Sequence, residues 1–289
     1  MNGVLLAGFA AVLFGTYLFV VKRYFSDYAV PVYLFGVYTA AVACYTPVAV
    51  VTTDGGVPLP QTTPALLGSI AVSLGVVAAL LAFFHALSLG EVSYVAPISK
   101  VVPAFVLPIE VLALGEHLGT LQVAGVVVVT VGLYLVNYEP GELLTPLKRA
   151  ATARPAQLAL ASAATFGVVD VGKRVLLQEM AVTPTAFVVV MLATTLAAVV
   201  PLALPKMDFD RLAADWWKFA AVGALVAGGQ HIVAMAFTTL PASVASPIVN
   251  AQAVVAVLLG GVLLDEPQFR TRLVASSVAI AGVALITLG

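Results

Sequence analysis

Ten stretches of apolar residues, each long enough to cross a lipid bilayer as a helix, divide this chain of 289 residues. They fall at about 3–21, 30–52, 65–88, 92–114, 119–137, 156–172, 183–205, 216–238, 242–264 and 269–288. Because backbone groups in hydrocarbon must be hydrogen bonded within their own segment, runs of this length are predicted to be helices. The pattern predicts an all-α integral membrane protein with ten transmembrane helices.

One part of this pattern occurs twice. Residues 86–116 align with residues 236–266 without gaps at a shift of 150 residues. The matching residues include Ser93 with Ser243, Pro97 with Pro247, and Glu116 with Glu266. The repetition indicates two copies of one unit.

The two predicted units contain five helices each. The first covers 1–138, a connecting loop covers 139–155, and the second covers 156–289. Because five helices begin and end on opposite sides of a membrane, the second unit is predicted to be inverted relative to the first. Inverted five-helix repeats are typical of secondary transporters, which open a central site alternately to each side.

The composition supports a membrane location and narrows the possible partners. Hydrophobic residues make up 62% of the chain and charged residues 9%, with a mean hydropathy of +1.09. We therefore expect a multi-pass protein of the cell membrane, with the lipid bilayer and a small-molecule substrate as partners. No nucleic-acid partner is expected, and the expected state is a monomer or a weak homodimer.

Positive charges are unevenly distributed between the two predicted sides. Ten Lys and Arg residues lie in odd-numbered connections, whereas Lys173 and Arg174 alone lie in the others. The positive-inside rule then places the odd connections in the cytoplasm and both termini outside. Asp170 precedes Lys173 and Arg174 on the same helix face, so these charges form either a local ion pair or part of a functional, gating structure.

The central candidate for substrate binding is Lys100, about eight residues into the fourth predicted helix. It either extends its ammonium group to the near interface or faces a central cavity. Asn250 occupies the equivalent place in the second unit, and Ser93 and Ser243 lie on the same helix faces. One charged and one neutral group at equivalent places would suit an asymmetric, anionic or zwitterionic substrate.

Other polar residues at membrane depth extend this candidate site. His85, Gln230 and His231 either form hydrogen bonds between helices or take part in substrate binding and proton coupling. Gln252 is about 160° around the helix from Asn250, so both are not expected to line one cavity. Glu110 is expected to be an interior polar contact. The sequence contains no metal-binding motif, and no cofactor is expected.

Prolines and helix-end carboxylates are candidates for structural or gating roles. Pro97 and Pro247 interrupt the fourth and ninth predicted helices, either as static kinks or as hinges. Glu116 and Glu266 lie at helix ends and are expected to anchor them. Small residues, including Gly125 and Gly282, predict that the fifth and tenth helices pack closely together.

The sequence resembles the drug/metabolite transporter superfamily, in particular its ten-helix EamA type. The resemblance rests on features that occur once in each unit: Phe14-Gly15 and Phe166-Gly167, Lys22-Arg23 and Lys173-Arg174, and Gly115-Glu116 and Asp265-Glu266. It implies a fold of two EamA repeats and a cavity lined mainly by helices 1, 3, 4, 6, 8 and 9. It also implies cytoplasmic termini, in disagreement with the charge distribution.

The resemblance and the repeat together predict a secondary active transporter, an exporter or exchanger of a small organic metabolite, and not an enzyme. The alternative is a membrane-embedded protein without transport activity, either a lipid-modifying enzyme or a structural or regulatory protein. An enzyme would need paired carboxylates, a nucleophile with a base, or metal ligands at one depth. The sequence does not show such a group.

Overall fold

The computed structural model describes residues 2–53, 55–89, 99, 101–115, 117, 119–136, 153–252, 254–255, 258–259 and 269–288. Six residues singled out in the sequence lie outside the described residues: Ser93, Pro97, Lys100, Glu116, Asp265 and Glu266.

The described chain is built from helices. Their bounds are α1 Gly3–Tyr24, α2 Val30–Val51, α3 Thr63–Leu89, α4 Val102–Leu114, α5 Thr120–Val136, α6 Arg154–Arg174, α7 Pro184–Ala203, α8 Trp216–Phe237, α9 Ala242–Asn250 and α10 Phe269–Leu288. A π-helical turn, Val175–Glu179, follows α6, and a short helix, Phe209–Ala214, lies between α7 and α8. The described bounds agree with the predicted apolar runs to within a few residues, apart from α4 and α9, whose runs extend outside the described residues.

Five of these helices are long and apolar enough to cross a membrane within the part of the chain that is described: α1, α2, α3, α7 and α8. A helix of about 20 apolar residues matches the roughly 30 Å hydrocarbon thickness and satisfies its own backbone hydrogen bonds. The chain is therefore an integral membrane protein.

Contacts between helix ends define two faces of the bundle. At face A, the start of α1 at Gly3 lies against Thr239 and Leu240 in the α8–α9 turn. The side-chain nitrogen of Gln178, just after α6, donates to the carbonyl oxygens of Phe237 and Leu240 at 2.8 and 2.9 Å. The start of α1, the end of α6 and the end of α8 therefore share one face.

The opposite face, face B, joins the α1–α2 connection to the short helix before α8. Tyr28 donates from its hydroxyl to a carboxylate oxygen of Asp215 at 2.8 Å. The guanidinium of Arg211 lies 4.2 Å from the centre of the Tyr28 ring and donates to the carbonyl oxygen of Asp27 at 3.5 Å. Lys218 pairs with Asp215 at 2.6 Å. These two odd-numbered connections lie on one face, in agreement with the alternation of spans predicted from the sequence.

Helices α1 and α6, the first of each predicted unit, run in opposite directions. Helix α6 is antiparallel to α3, because Gly172 lies against Val72 while Ser162 donates from its hydroxyl to the carbonyl oxygen of Ala79 at 2.8 Å. Because Gln178, just after α6, lies at face A, α6 begins at face B and ends at face A. Helix α1 instead begins at face A.

Helices α5 and α10 cross at backbone contact, which confirms the close packing predicted from their glycines. A β-carbon at Gly282 would lie 2.5 Å from the backbone nitrogen of Val129, and one at Gly125 would lie 2.7 Å from that of Ile286. Without glycine at these positions, the two helices could not approach each other this closely.

Candidate functional site

A cavity of about 200 Å³ lies inside the bundle, with walls from both halves of the chain. Helices α1, α2, α3 and α4 contribute from the first half, and α6, α8 and α9 from the second. The family resemblance implies that all of these helices except α2 line the cavity. Helix α2 contributes Leu34 and Tyr38 to the wall.

Aromatic side chains form much of the described wall. They are Phe14, Tyr17, Tyr38, Phe83, Phe84, Phe166 and Phe237. Phe14 and Tyr17 pack edge to face, with ring centroids 6.2 Å apart. Aromatic walls suit the apolar or aromatic body of a small ligand, because they supply a large contact area with defined geometry.

One ion pair faces the cavity among the described residues. The ammonium group of Lys173 donates to Oδ1 of Asp170 at 3.1 Å, and both side chains line the cavity although they are largely buried. The Lys173 ammonium also lies 5.7 Å from the centre of the Phe237 ring. The local ion pair predicted from the sequence is therefore present, and it forms part of the cavity wall.

The ion pair is connected to α9 through two polar residues. Ser246 donates from its hydroxyl to Oδ2 of Asp170 at 2.7 Å. The side-chain nitrogen of Asn250 donates to the carbonyl oxygen of Ser246 at 2.9 Å. In a site of low dielectric constant, such charge-assisted bonds fix the side chains that meet a ligand and strengthen their interaction with its charges.

The other predicted polar residues divide between the cavity and its surroundings. Gln230 and Asn250 line it. His231 instead has its Nδ1 atom 2.6 Å from the hydroxyl of Tyr45 on α2, a contact between two helices. His85 and Ser243 are not among the described residues that line the cavity.

The interior contact expected of Glu110 is confirmed. This residue is fully buried near the end of α4, and its carboxylate accepts hydrogen bonds from backbone nitrogens of α9, including that of Ser243. Pro247 is buried inside α9, between Ser246 and the end of the helix.

The prediction for Gln252 was wrong, because both Gln252 and Asn250 line the cavity. The prediction extended a regular helix past Asn250, at about 100° per residue. The structure ends α9 at Asn250 and places Ala251 in a turn, so the regular helix that the prediction assumed is interrupted before Gln252.

Lys100 itself lies outside the described residues, but its neighbours Ser99 and Val102 line the cavity. Sequence reasoning missed Ser246, which could have been found because it is four residues before Asn250 and thus on the same helix face. It also missed the aromatic wall, because hydropathy does not distinguish an aromatic side chain that faces the cavity from one that faces lipid.

Apolar helices around a cavity with a polar, charged part are typical of membrane transport proteins. A model of the EamA-like transporter family matches residues 1–138 and 154–288, and the chain belongs to this family. The family consists of membrane transporters of the drug/metabolite type.

The fold is also found in a solved structure. A crystal structure of another protein superimposes with a TM-score of 0.75, covering 99% of this chain and 98% of its own, with 17% identical residues. This similarity supports the fold alone. No curated protein matches the chain in sequence.

Proposed function

We propose that the protein is a secondary active transporter that exports or exchanges a small organic metabolite across the cell membrane by alternating access. The observation that carries this proposal is the cavity between the two halves, which combines aromatic walls with the Asp170–Lys173 pair. A family of transporters provides the general class, and the cavity provides a place for the substrate.

The proposed mechanism uses two inverted repeats, and the pattern of helix contacts supports them. The counterpart of each helix is the one five places along, so α3 corresponds to α8 and α1 to α6. Helix α3 contacts α6, and their counterparts α8 and α1 also contact each other. In the same way, α4 contacts α6, and α9 contacts α1. The pairs α2–α7, α4–α9 and α5–α10 map onto themselves. Such a two-fold relation allows one half to rock against the other around a fixed site.

The cavity wall follows the same relation at the level of residues. Five pairs separated by 150 positions contribute both members to the wall: Val76 and Val226, Leu80 and Gln230, Phe83 and Val233, Ser99 and Val249, and Val102 and Gln252. A wall built from equivalent positions supports a site that lies on the pseudo-two-fold axis between the repeats.

The substrate class follows from the cavity walls. A volume of about 200 Å³ is below the roughly 300 Å³ at which pockets for drug-sized ligands begin. We infer a small molecule with an apolar body against the aromatic residues and an ionised group that exchanges with one partner of the Asp170–Lys173 pair. Asn250 and Gln230 would orient it, and Lys100 remains proposed as a further contact.

The test is uptake into liposomes that contain the purified protein. Amino acids, organic acids and nucleosides are offered with and without a pH gradient, and saturable uptake of one class is expected. For that class, Lys173→Met should raise KM at least about tenfold, because removing one partner of a desolvated charge pair typically loses 2 kcal/mol or more. Lys206→Met, at an exposed position outside the described cavity wall, is the matched control.

Two outcomes would contradict the proposal. Since Lys173→Met leaves Asp170 unpaired, the double variant Asp170→Asn/Lys173→Met separates a folding defect from a binding defect. Unchanged KM in a folded double variant would remove the pair from the site. Failure of the wild-type protein to bind or transport any of the compounds would favour the alternative of a membrane protein without transport activity.

A further inference from the structure

A second buried carboxylate lies at face A, outside the described cavity wall. Glu110, near the end of α4, is 0% exposed. Its Oε1 accepts from the backbone nitrogen of Ala242 and its Oε2 from that of Ser243, each at 2.6 Å. These are the first two nitrogens of α9, which have no partner within the helix and lie at the positive end of its dipole. Glu110 thus supplies the cap that this helix end requires.

An arginine brings a third segment to the same carboxylate. The Nε atom of Arg174, the last residue of α6, lies 3.6 Å from Oε1 of Glu110. Arg174 also forms an ion pair with Glu179 in the π-helical turn that follows α6. The ends of α4 and α6 and the start of α9 therefore meet around Glu110.

These contacts cross the boundary between the halves. Glu110 belongs to the first half, whereas Arg174, Ala242 and Ser243 belong to the second. The same short helix, α9, carries Ser246 and Asn250 of the cavity network. A movement of α9 away from α4 at face A would therefore break both hydrogen bonds to Glu110 and would move the polar wall of the cavity.

The second unit lacks an equivalent carboxylate. At a shift of 150 residues, Glu110 aligns with Gly260. Face B is held instead by the buried Tyr28 and by the partly exposed Asp215 and Lys218. The two ends of the bundle are thus held by different chemistry. Of the two aligned positions, only Glu110 carries a carboxylate.

We propose that Glu110 closes the cavity toward face A by holding the start of α9 against α4 and α6. It acts as a positioning residue and does not contact the substrate. The proposal rests on alternating access as the proposed function. Loss of one carboxylate acceptor favours the state in which face A is open and face B is closed.

The experiment measures access to the cavity from each face without any substrate. Gln230→Cys places a thiol in the cavity wall, and Cys44→Ala removes the single native cysteine. A membrane-impermeant thiol reagent is added to oriented vesicles from one face or the other. In this background, Glu110→Gln should raise the ratio of labelling rates, face A to face B, about tenfold, as expected for a lost hydrogen bond to a charged group.

Two further variants provide a graded test and a control for this measurement. Glu110→Asp keeps the charge but shortens the side chain, so it should shift the ratio in the same direction by less. Asp208→Asn removes a carboxylate that caps the exposed short helix at face B, and it should leave the ratio unchanged. Elution profile and thermal unfolding establish that each variant is folded.

A purely structural cap would change labelling equally from both faces or not at all. Either result in folded Glu110→Gln and Glu110→Asp overturns the proposal. Uptake by the wild-type protein is measured in parallel. If the wild-type protein takes up a compound but Glu110→Gln leaves the labelling ratio unchanged, only the role of Glu110 is rejected. If Glu110→Gln shifts the ratio but the wild-type protein takes up no compound, only the transport function is rejected.

Discussion

Two serines on α9 differ in their surroundings although they are three residues apart. The hydroxyl of Ser246 donates to Asp170 at 2.7 Å. The hydroxyl of Ser243 is buried and has no hydrogen-bond partner within the described part of the chain. A spacing of three residues puts both on one helix face, but it does not show which of them meets a carboxylate, because that depends on the position of α6.

This difference gives a prediction for stability. Ser246→Ala should lower the free energy of unfolding by about 1–3 kcal/mol, since a buried carboxylate loses a donor. Ser243→Ala should leave it unchanged or raise it slightly, because an unpaired buried hydroxyl is removed. Thermal unfolding of both variants in detergent measures the effect. Equal destabilisation by the two substitutions would show that the contact with Asp170 has no special weight.

The residues of face B are expected to respond to pH. Hydrogen bonds from Lys218 and then from Tyr28 lower the pKa of Asp215 below its ordinary value of 3.8. Burial, followed by the hydrogen bond to Asp215, raises the pKa of Tyr28 above 10.0. A lowered carboxyl pKa stabilises the fold at pH values above 3.8, and this contribution is lost as the pH falls through the lower pKa of the folded state. A raised phenol pKa stabilises it below 10.0, and this contribution is lost as the pH rises through the folded-state pKa.

The prediction is that the face B contacts are retained between pH 3.8 and 10.0 and weaken outside this window. The chain contains two tryptophans, Trp216 and Trp217, which directly follow Asp215, so tryptophan fluorescence reports on this region. A titration of the emission should show an acid transition that is reduced in Asp215→Asn and an alkaline transition that is reduced in Tyr28→Phe. An acid transition of the same size in Asp215→Asn would assign it to another group.

At the scale of whole helices, the sequence predicted most of the described fold. Apolar run length determines where a helix can span the membrane, so the bounds of α1, α2, α3, α7 and α8 were predictable. The early end of α9 was not, because a turn at Ala251 inside a continuous apolar run has no signal in hydropathy. The incorrect prediction for Gln252 came from this turn.

Close contact of α5 with α10 makes Gly282 sensitive to substitution. The β-carbon of Gly282→Ala would lie 2.5 Å from the backbone nitrogen of Val129, so the helices must separate, at a cost of about 1–3 kcal/mol. Gly8→Ala is the matched control, because no atom beyond its chain neighbours and the adjacent backbone of α1 lies within 4 Å of its added β-carbon. It should be neutral or stabilising by up to about 1 kcal/mol, since alanine is the better helix former. Unfolding temperatures in detergent compare the two, and equal values would contradict the packing.

At the scale of the whole molecule, the family resemblance implied six of the seven helices that line the cavity, all except α2. Equivalent positions, such as Leu80 and Gln230, could be recognised from the shift of 150 residues alone. The contribution of Lys173 to the wall was harder to predict, because its place near the end of α6 suggested a local ion pair or a gating charge. Only the packing of α6 against α9 and α8 shows that it faces the interior.

The Asp170–Lys173 pair has a consequence for energetics during a cycle of transport. Its two charges sum to zero, so displacing this part of the wall through an electric field does no net electrical work. A membrane voltage contributes about 2.3 kcal/mol per elementary charge per 100 mV to whatever net charge crosses. For the described part of the site, the voltage would therefore act on the cargo and on any ion carried with it, so electrogenicity would be determined by what is carried.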